Sequence, residues 1–541
     1  MFILGINGGF RQGYQDISAC LIKDGRIVAA VEEERLSRVK HSPGQLPYLS
    51  ILEVLKIGGV TIFDIEEIAF HGSTWGDDIG PKLNSYFMDY FGHAPSVKRY
   101  HHHDCHAAGT FFSSGFGEAL VLTIDNSGDG VSCQVALAKN NNFTLLKRYE
   151  RPSSFGVFYS LITQYCGFQK DRDEFKLMGL AGYGNNDAID FSWLIDFSDG
   201  ELFVNTAYIN TVPKLAPSLH KDEMNFNEQF IEKMGKRRRL PFEPVSQYYK
   251  DVAASAQKQL ENVVLKMLAY YVQKTGIKTI CMSGGVALNC LMNQKIMNAG
   301  FVDAIFIQPA STDAGISMGA GWLSTLNKNV VPIAPTSAYL GREFGHDEIK
   351  LILDLCGVKY VEREDFVDLA AHYLAENKVI GWFQGSMEFG PRALGNRSIL
   401  ANPGSPSIKQ VVNQKIKFRE SFRPFGASVL EEDASRYFEG KNPIAPHMTI
   451  TYTTKSEYIS HLEGVTHVDG TCRIQTVNAL QNPLFYKLLQ KMKSNSEHGI
   501  CLNTSFNLSH EPIVYSPQHA LATFYGSGID ALFLGNFVIT K

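Results

Sequence analysis

One pattern occurs twice in this chain and restricts its fold more than any other feature. Residues 2–6 form a short apolar run and 17–23 a second, and the Asp24-Gly25 turn leads on into 27–31 as a hairpin. Residues 119–124 repeat the opening run and end in Asp125. A glycine-rich loop (Ser127, Gly128, Asp129, Gly130), a run at 131–138, an asparagine-rich turn at 140–142 and a run at 143–148 follow. Strand, polar loop and hairpin, twice over, predict a duplicated lobe.

Val252, Ala256, Leu260, Val263, Val264, Met267, Tyr271 and Val272 fall at helical spacing and predict a long amphipathic helix over 249–275. It leads to a strand at 278–282, then Gly284-Gly285, then a helical run at 287–297. Glycines between a strand and a helix let a ribose or phosphate approach the backbone, because no Cβ intervenes and the helix N-terminus offers free N–H groups. The same succession is common in α/β cores. Composition shifts at 327–345, where Pro332 and Pro335 stand close together, and this sets a domain boundary between 1–335 and 336–541. The second part is long enough for an α/β domain of its own, with helices expected at 370–377 and 517–525 and a strand at 379–383.

The stretch RYHHHDCHAAGTFFSS, 99–114, places His102 and His106 four residues apart. On a helix both imidazoles would share one face, within reach of one divalent ion. No glutamate sits between them as in the H-E-x-x-H metalloproteases. Asp125, at a strand end, and Asp313, in STDAG, are candidates for the remaining ligands, and two histidines with two aspartates suit Fe(II), Mn(II) or Zn(II). The alternative is a surface helix with solvated histidines, to which His101 and His103 are assigned because neighbouring positions on a helix face different ways.

Arg392, Arg397, Lys417, Arg419 and Arg423 crowd beside glycine and proline turns, and Arg473 follows. Converging guanidinium groups grip phosphate, and Ser505 and Asn507 of CLNTSFN are placed to complete such a site. The cluster lacks the lysine–aromatic interleaving of a single-strand nucleic-acid groove. With 51 basic against 55 acidic side chains, the net charge of −4 calls for neither nucleic acid nor a membrane surface as partner. Nine scattered cysteines without C-x-x-C spacing, the absence of a leader-like start and the absence of a long apolar run point to a cytoplasmic protein.

The strings QDISACLIKDGRIVAAVEEERLSRVKH, HHHDCHAAGTFF, DEFKLMGLAGYG, SGGVALN, STDAG, MEFGPRALGNRSI, KFRESFRPF and LNTSFN stand in the order found in the O-carbamoyltransferases of nodulation-factor and antibiotic biosynthesis. The resemblance spans essentially the whole chain. It implies an α/β architecture. The N-terminal domain would be actin-like and duplicated, similar to the tRNA-threonylcarbamoyl transferase. The C-terminal α/β domain would be YrdC-like, similar to threonylcarbamoyl-AMP synthase. Carbamoyl phosphate and Mg-ATP would react in the second domain to give carbamoyl adenylate, pyrophosphate and phosphate. The first would transfer the carbamoyl group to a hydroxyl of a small-molecule acceptor and release AMP.

Residue by residue, the resemblance implies metal ligands at His102, His106, Asp125 and Asp313, with Fe(II) first and Mn(II) or Zn(II) as alternatives. Gly284, Gly285 and Asn289 match the adenosine-binding turn, with Glu174 and Lys176 lining the same pocket. Arg392, Arg397, Lys417, Arg423, Arg473, Ser505 and Asn507 match the grip on carbamoyl phosphate and triphosphate. One departure matters: the family carries His-Asp where this chain has Gln15-Asp16, and glutamine cannot take a proton at neutral pH. Asp16 could serve instead, the metal could acidify the acceptor, or the transfer step could be slow or altered; Lys40 matches a basic family position that would hold the acceptor complex, the alternative being a solvated surface lysine. His510 replaces a common glycine, with no mechanism attached. An actin-like ATPase or sugar kinase, a tRNA-modifying factor and a non-catalytic nucleotide-binding protein are the competing readings. Acceptor identity and oligomeric state are open.

Overall fold

The computed structural model describes residues 1–10, 15–210, 224–405, 407–440 and 443–541. They fall into two compact units, one of Met1–Val28, Pro43–Ile51 and Gly58–Ala334, the other of Ala29–Ser42, Leu52–Ile57 and Pro335–Lys541. Two short segments from early in the chain therefore group with its C-terminal part. Among the described residues no helix is long and apolar enough to cross a membrane.

The first sheet contains β1 (Phe2–Asn7), β2 (Ser18–Lys23), β3 (Arg26–Glu32), β4 (Ile65–His71) and β5 (Ser96–Tyr100) in the order β3-β2-β1-β4-β5. The second contains β6 (Glu118–Gly128), β7 (Val131–Lys139) and β8 (Asn142–Glu150). After a separate hairpin of β9 (Ile195–Ser198) and β10 (Glu201–Val204), β11 (Thr279–Ser283) and β12 (Ala304–Ile307) complete it in the order β8-β7-β6-β11-β12. In both sheets the central strand, β1 or β6, runs antiparallel to its hairpin partner and parallel to the next strand in, which is parallel to the last. The sequence repeat is thus a repeat of topology, and the first unit has an actin-like, duplicated α/β fold.

The duplication brings two helices together. His102–Ser114 follows the edge strand of the first sheet and Ile316–Asn327 that of the second, and the two pack closely. Gly319 makes this approach possible, since a Cβ there would lie 1.8 Å from the Cys105 carbonyl oxygen.

Local sequence explains where the elements depart from expectation. β6 runs on through Ser127 and Gly128, and the turn is confined to Asp129 and Gly130, both at positive φ. The run expected as one helix at 287–297 divides into a 3₁₀ turn, Gly285–Leu288, and a helix, Cys290–Met297, because the Asn289 side chain accepts from the Met292 amide and caps a new start. The long helix is Gln247–Thr275. The helix expected at 370–377 is Phe366–Ala375.

The second unit is built on β13 (Val361–Glu362), β14 (Ile380–Phe383), β15 (Arg397–Ala401), β16 (Gly426–Leu430), β17 (Thr451–Thr453), β18 (Thr471–Val477), β19 (Ile500–Ser505), β20 (Ala531–Leu534) and β21 (Phe537–Thr540). The sheet order is β13-β21-β20-β14-β15-β19-β16-β18-β17; β14/β20 and β16/β18 are its parallel pairs. Helices Phe366–Ala375 and Pro483–Ser496 bury Val367, Leu374, Phe485 and Leu488 in a core with Trp382, Leu400 and Phe533. Side chains of this size contribute roughly 1.5–3 kcal/mol each on burial.

Candidate functional site

His102 opens its helix on the buried face. Asp129, in the β6–β7 turn, accepts from the His102 backbone N–H at 2.9 Å and so fixes the first turn. One turn on, His106 brings its ring to the same point; both imidazoles are fully buried. Asp125, on β6, and Asp313, opening the 3₁₀ turn before Ile316–Asn327, close the group. Asp125 Oδ2 lies 3.4 Å from Nε2 of each histidine, and Asp313 Oδ1 lies 3.7 and 3.6 Å from them. All four candidate ligand atoms stand within 4.8 Å of one another.

Two observations say what this pocket suits. His106 Nε2 is buried and hydrogen-bonded to nothing among the described residues, although it faces two carboxylates. Ligand atoms about 2.1 Å from one shared ion in a tetrahedral arrangement stand about 3.4 Å apart, the separation seen here. Burial would lower the His106 pKa, but Asp125 and Asp313 outweigh it and hold it up to about 9, so the pocket favours positive charge. The four residues form a set that can hold a divalent ion.

His103 was expected among solvated histidines and is instead buried. Its Nε2 donates to the Val131 carbonyl at 3.0 Å, so the neutral ring accepts at Nδ1 from the Thr123 hydroxyl at 2.7 Å. The helix is buried at all positions but Asp104, Ser113 and Ser114, and on the His103 side it faces the second sheet. His106 Nδ1 likewise meets Ser283 Oγ at 3.1 Å, a support that orients the ring. Sequence spacing carried no signal for either contact.

Gly284 and Gly285 follow β11, beside the strand that carries Asp125. Gly284 has φ +94°, and a Cβ there would lie 2.1 Å from the Ile124 carbonyl oxygen; Gly285 is also close, its Cβ position being 3.4 Å from Asp125 Oδ1. The turn therefore sits at the carboxyl ends of the parallel strands β6 and β11, where α/β sheets bind ligands. Asn289 caps its helix and exchanges amide hydrogen bonds with Gln257. Glu174 accepts from Ser160 Oγ at 2.9 Å and the Asp171 amide at 2.7 Å, and burial together with the Asp171 charge pushes its pKa up to about 7. Lys176 pairs with Asp173 at 3.1 Å.

Gln15 and Asp16 lie in the first unit and Lys40 in the second. Gln15 Nε2 donates to the Asp171 carbonyl at 3.3 Å, and the Asp16 carbonyl accepts from Asn7 Nδ2 at 2.9 Å.

In the second unit four cations gather, Lys417, Arg419, Arg423 and Arg473, with Glu420 3.7 Å from Arg423 and Glu511 acting on Lys417. Lys417 is buried, and its ammonium group donates to Asn507 Oδ1 at 2.6 Å, the Asn507 carbonyl at 3.0 Å and Ser505 Oγ at 3.3 Å, with no carboxylate in the set. Burial first, then Arg419, Arg423 and Lys40 nearby, hold its pKa well below the usual lysine range. Arg473, on β18 beside Gly426, presses in turn on Arg419, and its buried Nε has no hydrogen-bond partner among the described residues. Arg397 has a different setting: fully buried and stacked 3.7 Å from the centre of the Phe383 ring, it donates to the carbonyls of Gln384, Gly385, Asn396 and Arg342. Arg392 lies in the same β14–β15 connection, where Glu388 Oε1 accepts from the amides of Leu394, Asn396 and Arg397. Arg419, absent from the residues the resemblance assigns, belongs to the cationic group.

Two family models match, one described as carbamoyltransferase N-terminus over residues 91–322 and one as carbamoyltransferase C-terminus over 371–541. The chain is 34% identical to nodulation protein NolNO of Sinorhizobium fredii, covering 100% of this chain and 83% of the relative. It is 36% identical to nodulation protein NolO of Bradyrhizobium diazoefficiens, covering 81% and 78%. A shorter match, 32% identical over 43% of each chain, is to 3'-hydroxymethylcephem-O-carbamoyltransferase of Streptomyces clavuligerus. These likenesses extend across both units, and the chain belongs to the carbamoyltransferase family.

Proposed function

We propose that this enzyme makes carbamoyl adenylate from carbamoyl phosphate, water and ATP in its second unit, releasing phosphate and pyrophosphate, and uses its first unit to pass the carbamoyl group to a small-molecule hydroxyl. The observation that carries this reading is the pair of oppositely charged sites, an anionic pocket in the first unit and a group of four neighbouring cations in the second. Lys417, Arg423 and Arg473 bind the phosphates, with Ser505 and Asn507 orienting the Lys417 ammonium. A YrdC-like role for this unit follows from that chemistry. The likeness to an O-carbamoyltransferase named for a hydroxymethyl substrate supports a hydroxyl acceptor.

In the first unit His102, His106, Asp125 and Asp313 hold a divalent ion, with Fe(II), Mn(II) and Zn(II) compatible with the donors. When bound, that ion supplies electrostatic stabilisation of charge on the phosphate of the leaving AMP. Gly284 and Gly285 give the adenosine close access to the backbone, with Glu174 and Lys176 lining its pocket. Gln15 supplies no base, so the Asp16 carboxylate takes the acceptor's proton as the new carbon–oxygen bond forms and AMP departs with the bonding pair. Lys40 helps to hold the acceptor complex, as its match to a basic family position implies.

Pyrophosphate release from ATP tests the reading. It is expected only when carbamoyl phosphate is present, and to fall by about 100-fold in Lys417→Ala, which removes a buried charge from the phosphate site. Formation of ADP without carbamoyl phosphate would favour an actin-like ATPase or sugar kinase, and absence of pyrophosphate release across a panel of divalent metals would reject adenylate formation.

A further inference from the structure

In the cationic group of the second unit, Arg419 presents an open guanidinium edge among the described residues. Arg419 comes just after a π-helical turn, Val412–Lys417, and after Phe418, whose φ of +45° lies in the left-handed region. A phenylalanine there costs roughly 1–3 kcal/mol, and π-turns and such strain gather at functional sites. The consequence is positional. Phe418 is turned out, 59% exposed, while Lys417 before it is buried and Arg419 after it is half-buried.

Arg419 is fixed on three sides. Its Nε donates to Asn413 Oδ1 at 2.7 Å, its Nη2 reaches the Pro424 carbonyl at 3.4 Å, and the guanidinium carbon stacks 4.4 Å from the centre of the Phe425 ring. Nη1 donates to no described residue. The acidic neighbour Glu420 lies 3.7 Å from Arg423. Burial, and then Arg423 and Arg473 beside it, hold the Arg419 pKa well below the usual guanidinium range. A half-buried cation among like charges, hydrogen-bonded only to neutral groups and with Glu420 as its nearby acidic neighbour, is further stabilised by an anion from outside the protein.

We propose that Arg419 is a polyphosphate-binding residue whose open Nη1 edge takes a phosphate oxygen of the ATP triphosphate before reaction and of pyrophosphate after it. A monoanion would satisfy one cation; Lys417, Arg419, Arg423 and Arg473 together call for a ligand with several negative charges along one chain. Inorganic tripolyphosphate is therefore expected to bind and to compete with ATP. The identity of the natural ligand as ATP rests on the adenylate reading; the affinity for polyphosphate does not.

The experiment titrates inorganic tripolyphosphate into the full-length protein, Arg419→Gln and Arg419→Lys in phosphate-free buffer, by calorimetry and by thermal shift. Arg419→Gln is expected to bind about 10- to 100-fold more weakly, the loss of one or two charge-assisted hydrogen bonds. It is also expected to melt no lower than the parent without the probe, because a like charge has left the group. Parent-like affinity in Arg419→Gln overturns the proposal. If that variant melts lower, Arg419→Lys decides: the ammonium keeps the charge but not the fork, so binding must still be weaker by more than about threefold, and parent-like affinity overturns the proposal. Tight tripolyphosphate binding without carbamoyl-phosphate-dependent pyrophosphate release would retain Arg419 in its role and reject adenylate formation.

Discussion

Gly128 makes room for the His102 ring. A Cβ at residue 128 would lie 2.0 Å from His102 Cδ2 and 2.4 Å from Nε2, so Gly128→Ala must displace the ring. The variant is expected to lose about 1–3 kcal/mol of stability from overpacking. Its affinity for Mn(II) is expected to fall at least about tenfold through the misplaced ligand. Calorimetric titration and thermal melting check both, and unchanged Mn(II) affinity would separate His102 from the ion. The four candidate ligands were legible because two imidazoles four residues apart, and aspartates following the apolar runs at 119–124 and 304–307, are local signals. His103 was misread because burial on its side is set by Thr123 and Val131 of the second sheet, which no spacing in the helix encodes. Arg419 stood out in the sequence only as one more cation; the turn at Phe418 that directs it is a backbone property.

At the scale of elements, the helix beginning at Glu174 carries a pH-dependent contribution. Its pKa rises from an ordinary 4.5 to about 7, so the folded chain binds this proton more tightly than the unfolded chain. The stabilisation is complete below about pH 4.5 and is lost as pH rises through about 7. Glu174→Gln keeps the acceptor oxygen without the charge, so its melting temperature relative to the parent should rise between pH 5 and pH 8. A difference independent of pH would remove the buried charge as the cause. The two packed helices make a second prediction: Gly319→Ala forces a methyl against the Cys105 carbonyl and should cost about 2 kcal/mol or more by chemical denaturation. Hairpins were readable from Asp24-Gly25 and from the asparagine-rich turn at 140–142, since Asp24, Gly25 and Asn140 accept positive φ. The break at Asn289 was not, because an apolar run continues through it and only the side-chain cap ends one element and starts another.

For the whole molecule, the near-neutral balance of charge conceals two local fields of opposite sign. The sequence repeat foretold the duplicated sheets of the first unit, because each copy carries its own turn residues. The grouping of Ala29–Ser42 and Leu52–Ile57 with the C-terminal unit could not be read this way, since packing between segments hundreds of residues apart decides it. The proposed division of chemistry between the units is tested most directly by carbamoyl-phosphate-dependent pyrophosphate release in His106→Ala and Lys417→Ala, measured side by side. His106→Ala should release pyrophosphate within about threefold of the parent, because changes at separate sites act independently, and Lys417→Ala should release almost none. Equal loss in both variants, or release undiminished in Lys417→Ala, would contradict a second unit that forms the adenylate on its own.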